Sequence, residues 1–346
     1  MTESTVIDVL ITVPFSESLL EQLQGVSPYL NISVQPAESV SDIQIERWTR
    51  TEILYTDKVL PTPDIAKSLK WVQLHWSGAE LLESSALISA AGQIMFTTLS
   101  GAVSSKVAEY ALMGLLSLGQ QLPIFQENKG KWPLEKEEPY APIELRGSVV
   151  GIVGYGSIGR EVARLLQPFG CTVLATKRDA KNPVDNGYCV EGQGDPDGDL
   201  FQRLYPAEAL HSMLRECDLV VVAVPSTQSN HHLINEGALS VMKKTACLVN
   251  VSQRNIIDQT ALLNALQEHR LAGVALDGFS GEDLPADHPL RSLPNVIITP
   301  NIAGESTLYH ARAMDLFIKN CKRYIAGLPL YNLVDIEGGI DAWRVA

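Results

Sequence analysis

Residues 149–178 read VVGIVGYGSIGREVARLLQPFGCTVLATKR, and this stretch decides the fold. It opens with a β-branched apolar run of strand length: Val149, Val150, Ile152 and Val153. Gly154, Gly156 and Gly159 follow in the spacing G-x-G-x-x-G, and Ile158, Val162, Leu165 and Leu166 then recur at helical spacing. Pro168 and Gly170 stop that helix, and residues 171–175 form a second apolar run. Strand, tight turn, helix and strand within about thirty residues is the pattern of a dinucleotide-binding unit. The glycines have a physical reason. A turn this sharp needs backbone conformations that a β-carbon blocks, and a diphosphate must approach the free N–H groups at the helix start, where the helix dipole favours an anion. The motif alone also fits a glycine-rich turn in another α/β unit; the strands on both sides favour dinucleotide binding.

Downstream, residues 181–199 are rich in Gly, Asp and Asn and read as a surface insertion without a metal-ligand pattern. A helix is expected over 207–215, then a buried strand over 219–224 ended by Pro225. Strands at 246–250, 273–276 and 296–299 continue the sheet, with helices such as 260–269 between them. The reading is six strands in a doubly wound parallel sheet that takes its ligand at the C-terminal strand ends. Upstream, strands are expected at 6–13, 32–34, 53–55, 71–74 and 94–97, with helices at 16–24 and 61–69. This is a second, smaller α/β domain with no phosphate-binding glycine motif. Its strand 71–74 runs into His75-Trp76-Ser77-Gly78-Ala79, a turn suited to face a cleft. Residues 104–118 form a long Ala- and Leu-rich helical pattern, and 128–142 a charged loop with three prolines. From 308 the chain is helical again before a polar tail.

The chain of 346 residues is long enough for two domains. A net charge of −13 argues against nucleic acid, which needs clustered Lys and Arg. The apolar stretches 110–118 and 218–225 are too short to span a bilayer, and the N-terminus reads as a strand rather than a signal peptide. Five scattered cysteines without a C-x-x-C pair fit a reduced, cytoplasmic protein.

Further landmarks are KVAEYAL (106–112), GIVGYGSIG (151–159), DLVVVAVPST (218–227), LVNVSQRNIIDQTAL (248–262), GVALDGFSGEDLP (273–285), HPLRSLPNVIITPN (288–301) and GLPLYNLVD (327–335). In this order they make the chain resemble the D-2-hydroxyacid dehydrogenase superfamily over nearly its whole length. The resemblance implies two Rossmann-like domains with doubly wound parallel sheets. A nucleotide domain, 119–308, is inserted between two pieces of a flavodoxin-like substrate domain, 1–118 plus 309–346. It also implies a nicotinamide cofactor and a small 2-hydroxy or 2-oxo acid as substrate. The cofactor contacts carried over are Gly154, Tyr155, Gly156, Ser157, Ile158, Gly159, Thr176, Lys177, Arg178, Val224, Pro225, Thr227, Val251, Ser252, Asp277, Asn301 and Gly304. The substrate turn is Trp76, Ser77, Gly78 and Ala79.

The family's catalytic set is Arg, Glu and His. The Arg position, three residues after Asn250, is Gln253; Arg254 takes the family's Gly position, and Asp258 fixes the register. The Glu position is kept as Glu282, and the His position, directly after the Thr-Pro pair, is Asn301. Two charged groups are thus replaced by amides. Asn cannot exchange a proton near neutral pH, and Gln offers a carboxylate no charge. His75 is the one serious stand-in, set against the plainer reading of a partly buried strand-end histidine. His231 and His232 match a helix start, His288 falls in an ordinary turn, and His310 lies on the returning helix. Two functions stay open: an NAD(P)-dependent oxidoreductase with altered or weakened chemistry, and a catalytically silent NAD(P)-binding protein. The second strand ends in Thr176-Lys177-Arg178, where an NAD enzyme places Asp or Glu, so NADP is expected over NAD; the alternative is a solvated basic pair. The helix 104–118 implies a homodimer by resemblance, or else domain core.

Overall fold

The computed structural model describes residues 6–90, 92–127, 142–279, 284–335 and 344–345. The charged loop expected over 128–142, save its last residue, lies outside them, as do Glu282 and most of the polar tail. The chain forms two compact units. Met1–Val103, Asn186–Tyr188 and Ser306–Ala346 make the first, and Ser104–Asp185 with Cys189–Glu305 the second.

In the first unit, strands β1 (Ile7–Ile11), β2 (Leu30–Val34), β3 (Ile53–Thr56), β4 (Trp71–Leu74) and β5 (Met95–Thr97) form one parallel sheet in the order β2-β1-β3-β4-β5. This is the flavodoxin-like order. The central strand β3 is buried along its length, in register with β1 (Val9↔Ile53) and β4 (Ile53↔Trp71). Helices α1 (Glu17–Gln24) and α2 (Ile45–Arg50) belong to this unit. Residues 61–69, expected to be helical, form isolated turns instead. Pro61 and Pro63 explain this, since each removes a backbone donor and restricts the residue before it.

In the second unit, α3 (Ser104–Gly119) and α4 (Leu122–Glu127) precede β6 (Val149–Val153), α5 (Ser157–Leu166) and β7 (Thr172–Lys177). There follow β8 (Arg203–Pro206), α6 (Leu210–Leu214), β9 (Leu219–Val222), α7 (Glu236–Val241), β10 (Cys247–Asn250), α8 (Gln259–Gln267), β11 (Gly273–Asp277) and β12 (Val296–Thr299). The sheet is wholly parallel and runs β12-β11-β10-β9-β6-β7-β8. It has seven strands rather than the expected six. The extra one, β8, pairs with β7 from Leu174↔Arg203 to Lys177↔Pro206. It escapes a pattern search because it is a short edge strand ending in proline, which only an edge tolerates.

Alternation along the strands builds two cores. Val150, Ile152, Leu219, Val221 and Val249 face α3 and α5, while Val153, Val220, Val222 and Leu248 face α6, α7 and α8. A sheet buried on both faces explains the unbroken apolar runs. Helix α3 counts with this unit because Ala108, Ala111, Leu115 and Leu118 join that first core. This compact unit therefore begins at Ser104. Gly114 of α3 lies so near β10 that a Cβ there would sit 3.0 Å from the Val249 methyls.

Helix α9 (Tyr309–Ile325) returns to the first unit and buries Ala313, Met314, Leu316, Phe317, Asn320 and Cys321 at helical spacing. Asn320 closes its C-terminal side: Oδ1 accepts from Tyr331 N (2.8 Å) and Nδ2 donates to Tyr331 O (3.2 Å). Among the described residues, no helix is long and apolar enough to cross a membrane.

Candidate functional site

The three motif glycines after β6 do three different things. Gly154 has φ 101°, and a Cβ there would lie 2.6 Å from Ala223 O and 2.8 Å from Val224 Cγ1. A Cβ on Gly159 would collide with the Gly154 carbonyl and lie 2.9 Å from Ile152 Cγ2, so this glycine lets α5 pack on β6. Gly156 is different: its φ of −92° suits any residue, and nothing stands within 4 Å of where its Cβ would be. Open space is therefore kept in front of the N-terminus of α5, a helix that carries no side-chain cap. The first-turn N–H groups of such a helix suit an anion, and the cradle at Gly156 fits a diphosphate. The loop is fastened to the end of β7: Gly154 N donates to Thr176 Oγ1 (3.1 Å) and Tyr155 N to Thr176 O (2.8 Å).

Tyr155 offers a ligand only its backbone. Its ring is 1% exposed, its hydroxyl donates to Asp195 Oδ2 at 2.5 Å, and burial together with that carboxylate pushes its pKa up. Asp195 in turn accepts from Gly198 N (3.2 Å), Asp199 N (3.2 Å) and Leu200 N (3.1 Å). Residues 181–199 are thus not a loose surface insertion. Arg160, 2% exposed, pairs with Asp185 (3.2 Å) and donates to the carbonyls of Pro183 and Asp195. A buried charge is costly unless it is paired, and this loop supplies a carboxylate and two carbonyls to the guanidinium it folds around. The same loop takes up Lys177, whose ammonium donates to the carbonyls of Asn182 and Val184. Burial, then the Arg160 charge, lower the Lys177 pKa. Thr176 is buried with its hydroxyl engaged at Gly154, and Arg178 is exposed.

The remaining strand ends of the second unit carry the other expected positions. After β9, Val224 N donates to Ser252 Oγ (2.8 Å), and Asn230 Nδ2 donates to Pro225 O (2.9 Å). Thr227 Oγ1 lies 3.0 Å from Ser229 Oγ. After β10, half-buried Val251 precedes Ser252, whose N–H donates to the buried Asn250 Oδ1 (3.1 Å). Gly278, φ 110°, is so close to this turn that its Cβ would be 2.9 Å from Ser252 O and 3.6 Å from Gln253 Cα. Asp277 is 3% exposed and accepts from Thr299 Oγ1 (2.6 Å), Ile302 N (2.9 Å) and Ala303 N (2.7 Å). Tyr110 OH, 2.5 Å from Thr299 Oγ1, extends the chain. These bonds fix the turn in which Asn301 holds φ 58°, so Asp277 acts by positioning residue 301. Gly304 follows, half-buried beside Val107. Gln253 and Asn301 are both exposed, and neither side chain has a hydrogen-bond partner among the described residues.

In the first unit, the turn after β4 exposes Trp76 (50%) and Ser77 and half-buries Gly78 and Ala79. Trp76 Nε1 donates to Asp57 O (2.7 Å), which pins the ring to the end of β3, and the Glu80 carboxylate lies over Gly78. His75 is buried at 5%, its Nδ1 2.6 Å from Tyr55 OH and its backbone carbonyl accepting from Tyr309 OH (2.6 Å). Its ring meets Phe15, Tyr55, Trp76, Tyr309 and His310 with centroids 5.1–5.9 Å away. Burial, then His310, lower its pKa to about 4. His231, His232 and His288 take structural places. His231 and His232 stack at 4.0 Å after a short turn, not at a helix start, since α7 begins at Glu236 behind Asn235. His288 Nδ1 caps the next turn at Leu290 N (3.3 Å). Sequence reading missed Tyr55, Phe15, Arg160 and Asp195. A tyrosine in a strand and an arginine in a helix carry no periodic signal, although the Arg directly after the third motif glycine was the cue for the last two.

Residues 112–303 match the family described as D-isomer specific 2-hydroxyacid dehydrogenase, NAD binding domain. A glyoxylate reductase of Thermofilum pendens is 30% identical over 284 residues, 79% of this chain and 77% of the relative. An (S)-sulfolactate dehydrogenase of Chromohalobacter salexigens is 32% identical over 226 residues, 65% of this chain and 68% of that one. The solved NADPH-dependent glyoxylate/hydroxypyruvate reductase of Sinorhizobium meliloti, in complex with NADP and malonate, superposes with a TM-score of 0.66 at 26% identity, covering 93% of this chain and 94% of that one.

Proposed function

This chain belongs to the D-isomer specific 2-hydroxyacid dehydrogenase family, and from that premise we propose that it is an NAD(P)-dependent oxidoreductase acting on the CH–OH or C=O of a small 2-hydroxy or 2-oxo acid or a related carbonyl compound. The observation that carries the reading is the open cradle at Gly156 before the uncapped N-terminus of α5, with Gly154 and Gly159 close-packed on either side. When bound, a nicotinamide dinucleotide supplies or accepts the hydride. The chain's part is to hold it: backbone at Gly156, Ser157 and Ile158 for the diphosphate, and the turns at Val224–Thr227, Val251–Ser252 and Asn301–Gly304 around the rest. The turn Trp76–Ala79 is the substrate's seat in the first unit. The relatives' names support small 2-oxo and 2-hydroxy acids as the substrate class.

The chemistry is altered. Gln253 and Asn301 take the places of a carboxylate-binding Arg and a proton-donating His, and general acid–base help is worth about 10²–10⁴-fold. The same two amides favour a second reading, a silent NAD(P)-binding protein. A turnover screen across 2-oxo acids and aldehydes decides between the two: no turnover with tight dinucleotide binding establishes the second. NADP is the preferred cofactor on the strength of Lys177 and Arg178, and calorimetry finding NADH bound more tightly than NADPH would overturn this. Homodimerisation is supported by Met113, Leu116 and Leu122, which are 43%, 37% and 45% exposed on α3 and α4; sedimentation as a monomer at micromolar concentration refutes it. Five unpaired cysteines, three of them buried, support a reducing, cytoplasmic setting.

A further inference from the structure

Within the second unit, helix α3 runs antiparallel to β11 in a matched register. Leu118 meets the start of the strand, where a Cβ on Gly273 would lie 3.1 Å from Leu118 Cδ2. Gly114 stands against its middle, where a Cβ would lie 3.4 Å from Ala275 Cβ. Tyr110 reaches the end, where Asp277 pairs in register with Thr299 of β12 and the Tyr110 hydroxyl lies 2.5 Å from Thr299 Oγ1. Four helix residues advance about 6 Å and two strand residues about 6.6 Å, so positions 110, 114 and 118 step with 277, 275 and 273. Gly114 sets how close the helix comes, because its Cβ would also lie 3.0 Å from both Val249 methyls. Val107 continues this line beyond the strand and lies beside Gly304.

The direction of the hydrogen bonds at that end is fixed. Thr299 has one hydroxyl proton and gives it to Asp277 Oδ1 at 2.6 Å. Its oxygen can then only accept, so Tyr110 donates the 2.5 Å bond. Burial, together with the Asp277 charge, outweighs the Thr299 bond and raises the Tyr110 pKa, so the phenol keeps its proton. Asp277 also accepts from Ile302 N (2.9 Å) and Ala303 N (2.7 Å), and Asn301 N donates to Thr299 O (3.1 Å). The turn that holds Asn301 at φ 58° is thus the last link of a one-way chain that begins on α3.

We propose that Tyr110 is a positioning residue for the turn 300–304, acting through Thr299 and Asp277, and that this turn serves the nicotinamide half of the dinucleotide. The proposal rests on the dehydrogenase reading and adds to it a residue on a helix that touches no ligand. In a sheet of this kind the diphosphate lies at the first strand, here β6, and the adenosine ribose at the second, here β7. Strand β12 lies on the other side of β6, so the turn after it falls to the nicotinamide half. Hydrogen bonds in a chain strengthen one another. Without the Tyr110 proton, the Thr299 hydroxyl loses the partner that aims it at Asp277, and the turn relaxes.

The test uses the full chain and two ligands, NADPH and 2′-phospho-ADP-ribose, which is NADP without its nicotinamide ring. Tyr110→Phe keeps the ring in the core and removes one donor. It should weaken NADPH about three- to tenfold and leave 2′-phospho-ADP-ribose unchanged. Thr299→Val should weaken NADPH about ten- to hundredfold, and Tyr110→Phe added to it should weaken NADPH no further, because the chain is already cut. Thr299→Ser keeps the hydroxyl and should bind as the wild type does. A merely structural loss weakens both ligands alike, and that result overturns the proposal. So do variants that bind NADPH as the wild type does, or additive effects of Tyr110→Phe and Thr299→Val; each of these leaves the dehydrogenase reading standing. Should Thr299→Val fail to fold, Tyr110→Phe with the two ligands decides alone. If NADH binds the wild type more tightly than NADPH, NADH and ADP-ribose replace the pair. A wild type that binds neither dinucleotide removes the dehydrogenase reading and this proposal with it.

Discussion

Acidification should destabilise the first unit through His75, against an opposite contribution from Glu80, whose pKa burial raises above the ordinary carboxylate value; Glu80 is common to wild type and variant and cancels in their difference. The ordinary imidazole titrates at 6.5 and His75 at about 4, because burial and then His310 disfavour its charge. Between these values the unfolded chain holds a proton that the folded chain lacks. The stability is therefore whole above pH 6.5, is lost progressively as pH falls from 6.5, and the loss is complete by about pH 4. The gap corresponds to about 3 kcal/mol at its limit, and to about 2 kcal/mol by pH 5. His75 is only 5% exposed, so solvent screening takes little from this. The carboxylates held low, Asp195 and Asp315 among them, titrate beneath their ordinary 3.8 and act below the window. The perturbation is His75→Gln, which removes the titrating group and keeps a polar side chain. Urea unfolding at pH 7, 6 and 5, followed by fluorescence of the buried Trp48 and Trp71, should give a wild-type stability that falls by about 2 kcal/mol more than the variant's. A wild-type-minus-variant difference that is flat across the window, or a histidine titration placing His75 near 6.5, refutes the reasoning.

Three further outcomes are expected. Gly156→Val should leave the melting temperature unchanged yet weaken NADPH more than about tenfold, because its Cβ meets only the space kept for the ligand; Gly159→Ala should instead lower the melting temperature. Arg160→Met should cost about 3 kcal/mol and open residues 181–199 to limited proteolysis, since it removes the ion pair with Asp185 and the donor to two carbonyls. Turnover of glyoxylate or pyruvate should be weak in the wild type and partly restored by Gln253→Arg, Arg254→Gly and Asn301→His together, with strong non-additivity; wild-type rates of tens per second would show that the catalytic assignment is wrong.

Residues 149–178 made the second unit legible, because a parallel strand buried on both faces is an unbroken apolar run and a diphosphate loop needs glycines at fixed spacing. The same logic reached the strands of the first unit from short β-branched runs alone. It failed where the signal was weak or local: β8 is an edge strand of mixed character, and 61–69 has apolar spacing that its two prolines override. Of the candidate site, the strand-end turns were legible from their landmarks, and so were the amides at 253 and 301.

Sequence by itself determined the residue types at each turn, the glycine spacing and the amides at 253 and 301, since these are properties of the chain in order. Tertiary structure alone decided what each group touches. It showed that Tyr155 points into the core, that Asp277 spends both oxygens on the turn holding Asn301, and that residues 181–199 fold around Arg160. It also brought Phe15, Tyr55, His75 and His310, which lie as much as 295 positions apart, to one edge of one sheet. Parallel strands all end at the same edge, so side chains remote in sequence converge there, and no local pattern along the chain records which of them meet.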